Sequence, residues 1–468
     1  MKKFAKTKII ATIGPASWDK SILEEMINQG MDIARINASF ADHDELLRVS
    51  QQIREISPRI AIMVDTEGHK IRVSGFNEDI RLEKDQLLAI SGDQSIPNCL
   101  HVNYPSLHND VIRGTEILID DGHLKVVVQD IQKNVLITRV VQGGVLKKQK
   151  TVNIPNAHLN FPIMSEKDKS VIAFAIKNNF DFISASFIRN KEDLLEIRKV
   201  MGQSKTKLIA KIENREGVKN IDEIIDEADG IMIARGDLGV ELPIEKVPVI
   251  QKKIIYKCRL KGKPVIVATQ MLESMKENLS PTRAEVSDIA NAVMDGTDVV
   301  MLSAETSIGK YPVESVETMN RIALEAESAL RPQEIFGHTD ASDETDEVCR
   351  NVLQLTEKLK LKGIIVLSKT GRTIASLSRH RLQVPIWTIS SDPTLIRQMN
   401  IFRSVKSFYS KNFPIDRDEC TEKAVSTVYS YGELEINDKI AIISGSSLRY
   451  ESPNTTLEIV TVKDVLGR

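Results

Sequence analysis

Paired cysteines are missing from this chain. Its four, Cys99, Cys258, Cys349 and Cys420, stand far apart, with no two separated by two residues. That removes the usual zinc and dithiol spacings and leaves reduced, structural thiols as the expectation. Net charge is nearly missing too: 63 basic and 65 acidic residues are mixed along the chain and leave only -2. No global field then draws in nucleic acid or an anionic membrane, so any phosphate-binding charge must be local. No apolar stretch approaches the ~20 residues of a membrane-spanning helix. The basic start, Met1-Lys2-Lys3-Phe4-Ala5-Lys6, leads into a short run ending at Gly14-Pro15, too short and polar for the apolar core of a signal peptide. No low-complexity tract suggests disorder. A cytoplasmic enzyme without nucleic-acid or membrane partners is the expectation.

What is present is length and a recurring pattern. At 468 residues the chain exceeds what one hydrophobic core usually supports, so two or three domains are expected. Eight short apolar runs begin near Thr7, Met31, Arg59, Asp181, Lys207, Gly230, Pro264 and Asp298. Strands buried on both faces read as continuous rather than alternating hydrophobics. Helical patterns fill most gaps, among them Ser21 to Gln29, Asn190 to Met201 with Asn190 as N-cap, and Pro281 to Asp295 with Pro281 at the first helical position. Periodicity alone also allows an open doubly wound sheet. The count of eight favours an α/β fold built on an eight-stranded β/α barrel.

One gap, from Arg59 to Asp181, is far too long for a single crossover of roughly 30 residues. Its middle reads as short alternating strands and turns, so residues 73–153 are expected to form an inserted small β-barrel lid, with residues 1–72 and 154–332 making the main barrel. A long helix opens at Tyr311-Pro312 and runs through Leu330. After an acidic linker, His338 to Asp346, the runs KGIIVLS, PIWTIS, SVKSFYS, KIAIISG and LEIVTV alternate with helices from Glu344, Arg372, Pro393 and Asp418. Residues 333–468 thus read as a carboxyl-terminal open α/β domain.

In such a barrel, polar residues at the carboxyl ends of strands face the site. Here these are Arg35 and Asn37, Asp65 and Thr66, Ser186, Lys211 and Glu213, Arg235, Gly236 and Asp237, Thr269 and Gln270, and Ser303 and Glu305. Glu213 and Asp237 end adjacent strands, so both can reach one hard cation such as Mg²⁺; simple salt bridges to Lys211 or Arg235 are the competing explanation. Lys211 shares a strand face with Glu213. It suits stabilisation of a phosphoryl group, or alternatively a Schiff base.

The segments TKIIATIGPAS, GMDIARINAS, LIAKIENREGVKNIDEI, IMIARGDLGVELP, KPVIVATQMLESM, SPTRAEVSDIANAVMDGTDVVMLSAET and GKYPVESV resemble, in order, the signature segments of the pyruvate kinase family. The resemblance implies phosphoryl transfer from phosphoenolpyruvate to ADP, giving pyruvate and ATP with Mg²⁺ or Mn²⁺, in a homotetramer. It assigns Lys211 and Arg35 to the phosphoryl group, Glu213 and Asp237 to the divalent metal, Gly236, Asp237 and Thr269 to the substrate carboxylate, and Ser303 to a proton relay. Arg72, Lys150 and Asn37 fall on the nucleotide side. Asn37, Ser39, Asp65 and Thr66 match a monovalent-cation site.

Three departures qualify the resemblance. Asn37-Ala38-Ser39-Phe40-Ala41 lacks a histidine that the family usually carries near the nucleotide. Lys70 replaces a glutamate, as in members resembling the potassium-independent group; an ammonium can take the electrostatic role of K⁺ and repels a second cation. K⁺ is therefore expected not to be required. In the carboxyl-terminal domain, Ser368, Lys369, Thr370, Gly371, Arg372 and Thr373 resemble an effector-phosphate loop, a natural anion site where a strand leads through glycine to a helix start. The later loop, residues 445–455, lacks the glycine-rich sequence of a sugar-bisphosphate site.

Overall fold

The computed structural model describes residues 4–68, 70–155, 157–330, 344–368, 370–411, 414, 416–445 and 456–467. Each of the eight apolar runs forms a strand: Lys8–Thr12, Ile33–Asn37, Ala61–Asp65, Phe182–Ala185, Lys207–Ile212, Gly230–Ala234, Val265–Ala268 and Val299–Leu302. Each pairs in parallel with its neighbours, and the eighth returns to the first through Lys8 opposite Val299, which closes the barrel. The open-sheet alternative is thereby removed. Alternate residues explain why the runs were continuous. Ile10, Ile33, Met63, Ile209, Met232 and Ile266 fill the barrel interior, while Ile9, Ala34, Val64, Leu208, Ile231 and Val267 pack beneath the helices; interior and exterior positions alternate along such strands.

Local chemistry sets the helix ends. Asn190 caps Lys191–Met201 by accepting from the Asp193 N–H, and Ser165 with Asp168 makes a reciprocal capping box for Glu166–Lys177. At Arg283–Met294 the expectation fails by two residues. Thr282, not Pro281, is the boundary, because its hydroxyl and Glu285 satisfy each other's backbone donors. Pro312 does occupy the first turn of Pro312–Ser328.

The insertion is a second closed barrel of seven strands, Ile71–Ser74, Leu87–Ser91, Leu100–Val102, Glu116–Ile119, Leu124–Gln132, Val135–Gln142 and Thr151–Asn153. Inward residues such as Val73, Val126, Val128 and Leu136 form its own core. The carboxyl-terminal sheet has five strands in the order Val405–Tyr409, Ile386–Ser390, Gly363–Val366, Lys439–Ser444 and Thr456–Thr461, only the last antiparallel. Of the predicted acidic linker, Glu344 to Asp346 begin the helix Glu344–Lys358. The earlier part lies outside the described residues.

This domain docks on the amino-terminal mouth of the main barrel. Asp181, just before the fourth barrel strand, takes Arg397 Nε at 2.7 Å. Asp298, just before the eighth, takes both terminal nitrogens of Arg381 at 3.0 and 2.9 Å and the Arg403 N–H at 3.2 Å. The opposite mouth is left to the lid.

Candidate functional site

The carboxyl ends of the strands gather a compact charge cluster. Arg35, at the end of the second strand, donates to Asp65 at 2.7 Å and to the Thr12 hydroxyl at 2.9 Å. Lys211 lies 3.2 Å from the same Asp65 oxygen and 2.9 Å from Glu213, and donates to the Ser186 hydroxyl at 2.9 Å. Burial works against the Lys211 charge, but Glu213 and Asp65 more than offset it, so its pKa is raised. It remains an ammonium at any working pH, which disfavours the Schiff-base alternative. Burial would lift Asp65, yet Arg35 and then Lys211 hold it below the ordinary carboxylate range. Glu213 is pushed up by burial, pulled back by Lys211 and raised again by Asp237. One Glu213 oxygen also accepts the Phe187 N–H at 2.8 Å.

Arg235, Gly236 and Asp237 are not strand residues as read from the sequence; they form the first turn of the short helix Arg235–Glu241. Gly236 thereby donates its N–H to the Thr269 hydroxyl at 2.7 Å, which places Thr269 beside Asp237. Arg235 turns away from the cluster. Its guanidinium reaches Asp288 at 2.6 Å and donates to the carbonyls of Thr269 and Gln270 at 2.8 and 3.2 Å. Ser303 closes the arc, its N–H given to the buried Glu305 at 2.7 Å, while the other Glu305 oxygen takes the Leu272 N–H.

Lys70 lies elsewhere than its sequence neighbours suggested. Its ammonium is 3.4 Å from Asp237 and 5.2 Å over the Phe187 ring. Of the residues expected around a monovalent cation, Asn37 uses its side-chain oxygen on the Ser39 N–H, Thr66 accepts from the Ser186 N–H and hydroxyl through its own hydroxyl and carbonyl oxygens, and Asp65 is spent on Arg35 and Lys211. One Asp65 oxygen, Oδ1, is buried without a hydrogen bond. On the lid side, Arg72 donates to the Gln149 carbonyl at 3.0 Å and Lys150 pairs with Asp120 at 2.7 Å.

Among the described residues no group of three His, Cys, Asp or Glu is arranged to hold a metal. Glu213, paired with Lys211, and Asp237, paired with Lys70, are the two expected carboxylates, a pair that fits a hard cation taking its remaining oxygens from substrate and water. Around the second expected site, Gly371 adopts φ 82° and gives its N–H to the Ser368 hydroxyl at 3.0 Å. A Cβ on Gly371 would stand 2.4 Å from Met399 Sδ, so the turn requires glycine. Lys369 and residues 446–455 lie outside the described residues.

Sequence reasoning missed Phe187, Asp288 and the backbone at Thr269 and Gln270, which carry φ of 58° at Phe187 and of 69° and 54° at the latter pair. Non-glycine residues in this region are uncommon and tend to mark functional sites. No composition signal announces them. Among the described residues no helix is long and apolar enough to cross a membrane.

A family model described as the pyruvate kinase barrel domain matches residues 4–316, and one described as the pyruvate kinase alpha/beta domain matches residues 346–460. A pyruvate kinase of Geobacillus stearothermophilus is 41% identical, with 99% of this chain and 81% of that one covered. One of Clostridium acetobutylicum is 38% identical, with 98% and 100% covered. The crystal structure of a pyruvate kinase from Cryptosporidium parvum superposes with a TM-score of 0.90 at 33% identity, covering 98% of this chain and 96% of that one.

Proposed function

The chain belongs to the pyruvate kinase family and is a phosphotransferase, and from that premise we propose that it moves the phosphoryl group of phosphoenolpyruvate to ADP with Mg²⁺ or Mn²⁺ and without a potassium requirement. The observation that carries the potassium part is the Lys70 ammonium 3.4 Å from Asp237. A fixed cation there supplies, beside the substrate-side carboxylate, positive charge that an exchangeable K⁺ would otherwise bring.

Glu213 and Asp237 would hold the divalent cation, which would supply charge neutralisation for the phosphoryl group. Arg35 and Lys211, fixed as cations around Asp65, face the phosphoryl group and offset its charge as it leaves one oxygen for another. Gly236 N–H, Thr269 and the helix start at Asp237 orient the substrate carboxylate. Ser303 serves the relay that protonates the enolate. Asn37, Arg72 and Lys150 take the nucleotide, the last two moving in with the lid.

A lactate dehydrogenase-coupled assay with phosphoenolpyruvate, ADP and Mg²⁺ tests the reaction. Lys211→Met is expected to lower kcat by at least roughly 10²–10³-fold, the cost of removing one transition-state donor; near-normal turnover would sink the assignment. For potassium, wild type is expected to turn over equally in tetramethylammonium and potassium buffers, whereas Lys70→Glu is expected to need K⁺. A wild-type enzyme silent without K⁺ would refute that part.

The homotetramer belongs to the same proposal. It is supported by exposed apolar side chains on the barrel, Ile244, Val249, Tyr256 and Ile308, and on the carboxyl-terminal domain, Tyr409 and Tyr431. Light scattering reads it directly. A phosphorylated effector at the Ser368–Thr373 turn is measured as a change in phosphoenolpyruvate half-saturation across an effector panel.

A further inference from the structure

Behind the Lys70–Asp237 pair lies a cavity of about 470 Å³ whose walls are shared between lid and barrel. It touches the substrate side at Asp237 and Ser186 but is not lined by Arg35, Lys211, Glu213 or Thr269, nor by Arg72 or Lys150 on the nucleotide side. Its volume falls in the ~300–1,000 Å³ range of small-molecule sites. One wall is apolar and partly aromatic, with Ile154, Leu159, Phe161 and Phe187. Phe161 is braced by Tyr104 of the lid, ring centroids 4.6 Å apart.

The charges on the remaining wall are unevenly committed. Asp237 is paired with Lys70, and Glu216 lies 3.3 Å from His158. Glu241 accepts from Asn153 at 3.1 Å; burial pushes its pKa up, with Asn153 and Arg215 pulling it back. Arg189 forks onto Asp193 and donates to the Leu159 carbonyl at 3.2 Å. Arg215 and Lys219 make no hydrogen bond or ion pair among the described residues, and both line the cavity. An apolar wall facing two exposed cations, of which Arg215 also acts at longer range on Glu241, matches a molecule with a planar or aliphatic body and one anionic group.

We propose that this cleft is a second ligand site, which adjoins the substrate position at Asp237 and extends away from it, takes a small amphipathic anion and couples its binding to the lid angle. The coupling follows from the walls. Lys70–Ile71 on one side, and Thr151–Pro155 with Ala157–Leu159 and Phe161–Ile163 on the other, lie at the two chain crossings between barrel and lid, whereas Ser186, Phe187, Arg189, residues 214–216, Lys219, Asn220, Asp237 and Glu241 belong to the barrel. Any lid rotation reshapes the cavity, so an occupant favours one lid angle, and whatever closes the lid must in turn alter the occupant's affinity. The site stands whether or not Lys70 relieves a potassium requirement.

The probe is 8-anilinonaphthalene-1-sulfonate, an aromatic sulfonate whose emission rises in apolar surroundings, titrated into the full-length enzyme. Lys219→Glu and Arg215→Glu, both exposed, are expected to weaken binding at least tenfold together, and Ala157→Trp, which fills the cavity, to abolish it. Retained turnover of these variants shows that they fold. Saturating ADP with Mg²⁺ is expected to shift the probe's dissociation constant at least threefold to a plateau, the mark of coupling rather than displacement. Unaltered probe binding in all three variants, or displacement by ADP that rises without limit as a competitor does, would overturn the proposal.

Discussion

Two arginines at the strand ends look alike in sequence and do different work. Arg35 keeps its guanidinium in the cluster with Asp65, whereas Arg235 holds the backbone that presents Thr269, bridging two carbonyls whose residues sit at positive φ. Both carbonyls are held by one terminal nitrogen while the other donates to Asp288, and a single ammonium cannot span that fork. Arg235→Lys is therefore expected to cost roughly 10–100-fold in kcat/KM for phosphoenolpyruvate, the scale of a misplacement near 1 Å, with little change in melting temperature. Steady-state kinetics at saturating ADP checks it; an unaffected kcat/KM would leave Arg235 without a positioning role. The sequence offered Lys211, Glu213 and Asp237 as neighbours because one shared strand face and adjacent strand ends are properties of spacing. It could not say that Asp65 is the hub of both cations, since that depends on how three separate strand ends converge.

Elements are legible when their burial is symmetrical. All eight barrel strands could be read because both faces are covered, and so could helix starts with a side-chain cap such as Asn190. The lid strands Ile71–Ser74 and Leu100–Val102 were not, since three or four residues carry too little pattern and their register comes from long-range closure. The carboxyl-terminal strand Gly363–Val366 shows how tightly such elements fit. A Cβ on Gly363 would stand 2.3 Å from the fully buried Trp387 ring on the next strand. Gly363→Ala is expected to destabilise that domain by about 1–3 kcal/mol, the range of overpacking, visible as a lower melting temperature with altered tryptophan emission. An unchanged melting temperature would show that the sheet can yield there.

For the whole molecule, the joint between barrel and carboxyl-terminal domain is a set of buried charges, and one member is sensitive to acid. His380 is fully buried among Arg379, Asp346, Arg350 and Arg259; burial first and Arg379 second lower its pKa from 6.5 to about 4. The unfolded chain thus binds a proton between these values that the native one refuses. Its contribution is intact above pH 6.5 and is lost progressively as pH falls toward 4, about 2 kcal/mol by pH 5 at 1.36 kcal/mol per unit. His380→Gln is expected to flatten the fall in melting temperature between pH 7 and 5; an unchanged slope would place the acid sensitivity elsewhere. Asp298→Ala, which removes the counter-charge of Arg381 in a buried joint, is expected to cost about 3–5 kcal/mol, measurable by denaturant titration, whereas a loss under 1 kcal/mol would mean that the Gly296 and Ser378 carbonyls suffice for Arg381.

The lid's position within the chain also sets a timetable for synthesis. Ile62 and its partner Asp181 are 119 residues apart, and the Thr12 hydroxyl reaches the Leu302 carbonyl across 290. While a ribosome emits the chain, the small barrel emerges whole before the third strand meets the fourth, and its contacts are local enough to form early. Closure of the main barrel waits for the eighth strand, since Lys8 pairs with Val299, so a nascent chain cut before that point holds a finished lid on an open barrel.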